Sequence, residues 1–409
     1  LRSLLPAFSR QKNDSFITIL LFWCGLVLLS SMYITLPLTT LFMDSLGITS
    51  AQTAWIGSSF SLCYALGCLL YGPFSDKYGR KIFLSVSISL LTVITIGIGF
   101  VESFPILLIL RGLQGLVAAA FAPIALVYAG EIFPPHKRLT AIGFISSGLL
   151  MASIIGQVFS GMVGEAFGWH AIFFILGALY FVTALAVLFF LPKEQTSRTE
   201  ESILQKFGNM AVLLKNSQLL FAFSITFVLL LSLVGMYSVL GSYLSSPRFD
   251  LTSGEILAVR GAGIIGMLFS PFAGQLAQKI GRGAVLRSGL ALAAIGLLVI
   301  GFSPALSILV LASIVFVAGI ALVTPVVISL VSQLAGNARG SAVSFNAFIL
   351  FLGASAGPGL VMGFSKTEQY VLALNVLSAV MIIAFLASLF IKAEGKKLME
   401  PAAKKQISP

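Results

Sequence analysis

Arg111 carries the strongest chemical demand in this 409-residue chain. It lies six residues inside a long apolar stretch that begins at Pro105, and Gln114 and Gly115 follow three and four residues later on the same helical face. A guanidinium at that depth costs about 2.5–3.5 kcal/mol on insertion scales, so it must turn toward a bundle interior or a wet cavity. Two roles fit. It binds a substrate or supports proton coupling by tuning a nearby acid or bound water, because Arg does not itself deprotonate. Otherwise it ties helix carbonyls together as a structural clamp. Gln157 and Asn346 are further polar groups inside apolar stretches, each either an interhelical hydrogen bond or a ligand contact. Arg260, close in sequence to Arg248, Asp250 and Glu255, reads as a salt-bridge cluster at a helix end, where long side chains snorkel.

Other chemistries lack their constellations. No G-x-x-x-x-G-K-[ST] phosphate loop occurs. His136 and His170 are remote from each other and from any metal-ligand cluster, so neither hydrolysis nor metal catalysis has a candidate. Cys24, Cys63 and Cys68 sit in apolar stretches as small hydrophobes, with spacings that suit neither a disulfide nor a metal. The expectation is a protein that is not an enzyme and takes no metal and no cofactor.

The elements holding these residues follow from composition. Apolar residues make up 58% of the chain and charged ones 10%, against about 25% charged in a soluble domain. That excludes both a soluble globule and a disordered chain. A membrane helix needs about 20 mainly apolar residues, and twelve such stretches can be placed: 16–41, 55–74, 82–101, 105–129, 139–163, 171–191, 219–243, 256–277, 285–302, 306–334, 341–364 and 370–391. The first is too long for a signal-peptide core and is expected to be retained. The fold class is therefore an all-α membrane protein with 12 transmembrane helices. The lipid bilayer is its surroundings.

The net charge of +11 would suggest nucleic acid in a soluble protein, but here topology accounts for it. With an even number of spans, 21 of the 25 Lys and Arg fall on the side of the termini, Arg248 and Lys366 fall opposite, and Arg111 and Arg260 are embedded. Both termini are therefore expected in the cytoplasm, and no nucleic-acid partner is expected.

The longest loop separates six spans from six, and the halves match at a fixed offset. Gly72, Lys77, Gly79 and Arg80 align with Gly274, Lys279, Gly281 and Arg282 at a shift of 202. Arg138 and Ala141 align with Arg339 and Ala342 at 201, and Gly156 then falls on Gly357. The expected organisation is an N-terminal six-helix bundle (1–191), a cytoplasmic linker (192–218), a C-terminal six-helix bundle (219–391) and a cytoplasmic tail (392–409). Such repeats house a substrate site at their interface near mid-membrane.

The loop Gly72-Pro73-Phe74-Ser75-Asp76-Lys77-Tyr78-Gly79-Arg80-Lys81 resembles the signature loop of the major facilitator superfamily, roughly G-x-x-x-D-(R/K)-x-G-R-(R/K). Arg111-Gly112-Leu113-Gln114-Gly115 is similar to the R-x-x-Q-G motif of its proton-linked exporters, which narrows the resemblance toward the 12-helix drug:proton antiporters. Three departures stand out. Gln157 follows Gly156 where the antiporter motif carries Gly-Pro, although Gly357-Pro358 keeps that pair in span 11. No acid lies between Asp14 and Asp44, and Gln278 replaces the acid of the second signature loop.

The resemblance implies alternating-access transport through a cavity lined by spans 1, 4, 7 and 10. That would place Tyr33, Pro37, Tyr237, Gly241 and Thr324 in the wall beside Arg111 and Gln114. It also implies a cytoplasmic gate in which Asp76, Arg80 and Glu131 form a charge network, with Gly72, Gly79 and Lys81 completing the motif. The function expected on these grounds is proton-coupled efflux of a small amphipathic compound or drug by a monomer in the cell (inner) membrane. The substrate suggested is amphipathic or carries an anionic group. The other readings are a dedicated metabolite exporter, importer or uniporter without proton antiport, and a membrane scaffold or sensor that no longer transports.

Overall fold

Backbone N–H and C=O groups in hydrocarbon must be satisfied within the chain, and each long apolar stretch does so as a helix. The computed structural model describes residues 5–193, 213–303, 305–366 and 369–391. Most of the 192–218 linker, the 392–409 tail, Gly72 beyond its helical backbone, and the side chains of Asp76 and Pro358 lie outside the described set. Among the described residues there is no strand. Eleven helices are long and apolar enough to cross a bilayer, and a pair bent by 45° supplies a twelfth crossing.

In chain order, span 1 is Leu5–Tyr33, span 2 Ser50–Tyr78, span 3 Arg80–Ile98, span 4 Phe104–Ala118 with Phe121–Ile132, span 5 Pro135–Phe167 and span 6 Trp169–Phe190. Span 7 is Ser217–Leu244, span 8 Ser253–Met267 with Phe272–Ile280, span 9 Arg282–Phe302, span 10 Leu306–Leu334, span 11 Arg339–Lys366 and span 12 Tyr370–Leu389. One end of the assembly carries Lys77, Arg80, Lys81, Lys137, Arg138, Lys279, Arg282 and Arg339, and is called the basic end below.

Proline explains where the helices depart from the continuous spans expected from sequence. The first helix stops at Tyr33, not Leu41. Pro37 follows in a 3-10 turn, Leu36–Leu38, and a separate helix runs over Thr39–Leu46. Span 4 breaks at Ala119 and Ala120, four residues before Pro123, which has no N–H for the Ala119 carbonyl. Span 8 breaks between Met267 and Phe272 because Pro271 likewise abandons the Met267 carbonyl.

Turns between spans 2 and 3 and between spans 8 and 9 are a single residue each. Gly79 has φ 100° and Gly281 φ 89°, a backbone region that L side chains avoid. The opposite ends of these helix pairs start alike. Thr49 and Gln52 form a capping box on span 2, and Thr252 and Glu255 form one on span 8.

Packing repeats with a period of six spans. Span 1 packs on span 5 as span 7 packs on span 11, and span 3 packs on span 6 as span 9 packs on span 12. The register holds at the atomic level. A Cβ on Gly156 would sit 2.8 Å from the Ser30 carbonyl oxygen, and one on Gly357 would sit 3.3 Å from the carbonyl carbon of Leu231. Ser30 and Leu231 differ by the same 201 as the glycines. These glycines let helix backbones touch, which is how helices gain packing where lipid supplies no hydrophobic drive.

Candidate functional site

A cavity of about 120 Å³ lies where spans 1, 4 and 5 face spans 7, 10 and 11. Its wall is mostly Leu, Ile, Val and Ala, with Tyr33, Tyr237 and Phe351 as the rings. The polar groups are Ser146, Ser153, Thr324 and Asn346, together with the tyrosines. No Asp, Glu, Lys or Arg is among the lining residues. An isolated charge enclosed there would meet a desolvation cost of several kcal/mol with no counter-charge, and contact with a ring face returns about 2 kcal/mol of it to a cation alone.

Tyr33, Tyr237, Thr324 and Asn346 are the residues expected at the site that the fold brings into this wall. The Thr324 hydroxyl is occupied, donating to the Ile320 carbonyl at 2.8 Å. Asn346 joins spans 11 and 7 through its Oδ1, 2.7 Å from the Thr226 hydroxyl, whose one proton is shared with the Ala222 carbonyl at 3.0 Å. Among the described residues its Nδ2 has no partner, and neither does the Tyr33 hydroxyl. The Tyr237 hydroxyl is buried against Gly263, where a Cβ would come within 3.4 Å of the ring Cζ.

Arg111 and Gln114 are elsewhere, and the expectation of a cation in the wall is corrected here. Arg111 is 0% exposed inside the first six spans. Its Nη1 donates to Gln114 Oε1 at 2.5 Å, its Nη2 to the Ser31 carbonyl at 3.0 Å and its Nε to the Ile56 carbonyl at 3.4 Å. Gln114 Nε2 passes the network on to Thr95 Oγ1 at 2.7 Å. The guanidinium also lies 4.5 Å from the Phe60 ring centroid. Gly115 permits this, since a Cβ there would fall 2.9 Å from Phe60 Cα. The geometry is that of the clamp: one cation on span 4 holding spans 1 and 2 through a backbone carbonyl of each.

Other expected wall residues also have different surroundings. Pro37 is exposed at the break after span 1. The Gln157 amide turns back to the Ser153 carbonyl of its own helix. Gly241 makes a slot for Arg260, whose Nη2 lies 2.6 Å from where a Cβ would stand. Arg260 donates to the Tyr237 carbonyl at 3.0 Å, not to a carboxylate. The salt-bridge cluster read from sequence is therefore absent among the described residues. Glu255 is engaged in capping Thr252, and Arg248 donates to the Ser303 carbonyl at 3.0 Å.

The signature loop places Arg80 against Glu131 in a two-point ion pair, Nε to Oε2 at 2.7 Å and Nη2 to Oε1 at 2.7 Å. Lys81 begins span 3 beside it, half-buried. The second half repeats the contact with a neutral partner. Arg282 Nη1 donates to Gln333 Oε1, and both pairs are 51 residues apart and shifted by 202. Gln278, standing where Asp76 stands in the first half, donates instead to the His136 carbonyl at 2.7 Å.

That last bond begins a seam closing the basic end between spans 5 and 8. A Cβ on Gly274 would sit 2.7 Å from the Thr140 amide nitrogen, and one on Gly143 would sit 2.8 Å from Pro271 Cα. Further in, the Ser147 hydroxyl donates at 2.8 Å to the Met267 carbonyl, which Pro271 denies an i+4 donor and which also accepts from the Ser270 amide at 3.3 Å. Sequence reasoning missed this seam, together with Ser146, Ser153 and Phe351 of the wall. Small and apolar residues in an apolar helix give no sign of which face meets the other half.

The description Major Facilitator Superfamily matches residues 21–358 and 253–408. The chain belongs to the Major Facilitator Superfamily. It is 27% identical over 345 residues to an uncharacterized transporter of Buchnera aphidicola subsp. Schizaphis graminum, covering 84% of this chain and 83% of that one. It is 28% identical over 299 residues to the multidrug resistance protein MdtG of Proteus mirabilis, covering 69% and 72%. The fold matches that of XylE, a proton:xylose symporter solved with 6-bromo-6-deoxy-D-glucose, with a TM-score of 0.74 over 93% of this chain and 96% of that one at 14% identity. This superfamily member is thus a multi-pass membrane transporter of small molecules and not an enzyme.

Proposed function

We infer that this transporter works by alternating access and exports a small amphipathic organic compound, drugs included, in exchange for protons. The observation that carries the reading is the largely apolar cavity between the two sets of six spans, sealed at the basic end by the seam of spans 5 and 8. The basic end is the cytoplasmic face of the cell (inner) membrane, with both termini on that side, in keeping with the positive-inside bias. The conformation described is closed toward the cytoplasm. The moving units are the bundles 1–191 and 219–391, joined by the 192–218 linker, and the chain acts as a monomer in lipid.

Resemblance to MdtG, named for multidrug resistance, supports export of drug-like compounds. XylE, a proton symporter of the same fold, supports a proton as the coupling ion. The ion pair of Glu131 and Arg80 braces the cytoplasmic gate. A second reading, a metabolite transporter without proton antiport, is favoured by one observation: among the described residues no carboxylate lines the cavity to carry a proton.

Proteoliposomes separate the two. Flux of a panel of amphipathic compounds is measured with and without an imposed pH gradient. Antiport requires uptake into inverted vesicles to rise with an acidic lumen and to vanish with an uncoupler. Flux indifferent to the gradient removes antiport and leaves the second reading.

A further inference from the structure

We propose that the cavity selects an uncharged molecule, of about the bulk of one aromatic ring, that carries a hydrogen-bond acceptor read by Asn346 and Tyr33. The proposal rests on the transport reading and deepens it. Four observations lead to it. The wall holds no ionised side chain, although the interior contains two arginines. Both arginines donate to carbonyls of their neighbours: Arg111 to Ser31 and Ile56, Arg260 to Tyr237. Two wall hydroxyls have committed their protons, Thr324 to Ile320 and Ser153 to Leu150, while the Ser146 hydroxyl is buried without a partner among the described residues. The unspent donors that face the cavity are the Asn346 Nδ2 and the Tyr33 hydroxyl, with Asn346 Oδ1 turned to the Thr226 hydroxyl, whose one proton it shares with the Ala222 carbonyl.

The transport cycle sharpens the argument. A substrate carried by alternating access passes through an enclosed state, and an ion enclosed by these walls has no counter-charge. Ring faces of Tyr33, Tyr237 and Phe351 compensate a cation only in part. A neutral ketone, amide or ester has no such cost and gains a donor from Asn346 and Tyr33. The size follows from the volume: about 120 Å³ is comparable with an apolar cavity of roughly 150 Å³ that accommodates benzene.

Four near-isosteric probes test this on the full chain in lipid nanodiscs: 4-fluoroacetophenone, 4-fluoroethylbenzene, 1-(4-fluorophenyl)ethylammonium and 4-fluorobenzoate. Binding is followed by 19F line broadening, with empty nanodiscs as the partition background. The ketone is expected to bind at least tenfold more tightly than either ion. Asn346→Leu is expected to weaken the ketone about tenfold and Tyr33→Phe about threefold, while 4-fluoroethylbenzene stays within twofold and reports an intact cavity. An ion bound as tightly as the ketone overturns the proposal, and so does ketone affinity unchanged in both variants. Proteoliposome flux separates its failure from that of the transport reading. Movement of the ammonium or benzoate in place of the ketone overturns the substrate class and leaves transport standing. The expected binding order without any flux supports the ligand class and removes transport.

Discussion

Placing a valine at Gly274 is the most direct perturbation of the seam that closes the basic end. The added Cβ would stand 2.7 Å from the Thr140 amide nitrogen and 3.0 Å from its Cα, where ordinary contacts begin at 3.4 Å. Both obstacles are backbone, so no rotamer change relieves them, and span 5 must move bodily away from span 8. Overpacking of this kind costs about 1–3 kcal/mol. The clash exists only while the seam is shut, so the cost falls on the closed state alone, and the open-to-closed ratio rises about 5- to 150-fold. Ser147→Cys, in a background without Cys24, Cys63 and Cys68, supplies the assay. That position is 1% exposed at the inner end of the seam, so its alkylation by a maleimide from the basic side reports the open population. Gly274→Val should speed alkylation by that factor, while Gly161→Ala, whose Cβ meets nothing within 4 Å, should not. An unchanged alkylation rate in folded Gly274→Val refutes the seam as the gate.

Two further outcomes follow from the buried polar groups. Arg111→Leu should lower stability by about 3 kcal/mol, because it strands the Ser31 carbonyl and Gln114 Oε1 in a fully buried site. Thermal unfolding in detergent reads this. Ligand affinity of the surviving folded protein should be unchanged, since Arg111 does not reach the cavity. Glu131→Gln should cost about 1.5–3 kcal/mol by discharging a mostly buried pair. The mirror change Gln333→Glu, at an exposed Arg282 contact, should contribute under about 1 kcal/mol. Equal effects in unfolding assays at the two positions would contradict the difference in burial.

Much of the architecture was legible because membrane helices announce themselves by length and polarity. Twelve apolar stretches gave twelve crossings, and the shift of 202 between halves returned as Gly79 and Gly281 at matching turns and as Arg80 and Arg282 in matching contacts. The breaks at Pro37, Pro123 and Pro271 were within reach of the same reading, since a missing N–H leaves a carbonyl unpaired wherever it falls.

The site was less legible. Arg111 stood out in the sequence because a buried charge is costly, yet cost marks only that the group must be satisfied, not by what. Ser31 and Ile56 satisfy it from spans 1 and 2, and that depends on how closely Gly115 lets the helices approach. Arg260 likewise lay near acids in sequence and ended on the Tyr237 carbonyl, because Glu255 was already engaged by its own helix start. The sequence by itself determined a twelve-span repeat with most of its basic charge at one end. Only the tertiary structure decided which polar groups face the cavity. A helix in lipid is apolar on every side, so periodicity does not distinguish the face toward lipid from the face toward the other half. Contact between helices makes that distinction, and it left Asn346 and Tyr33 at the wall and Arg111 behind it.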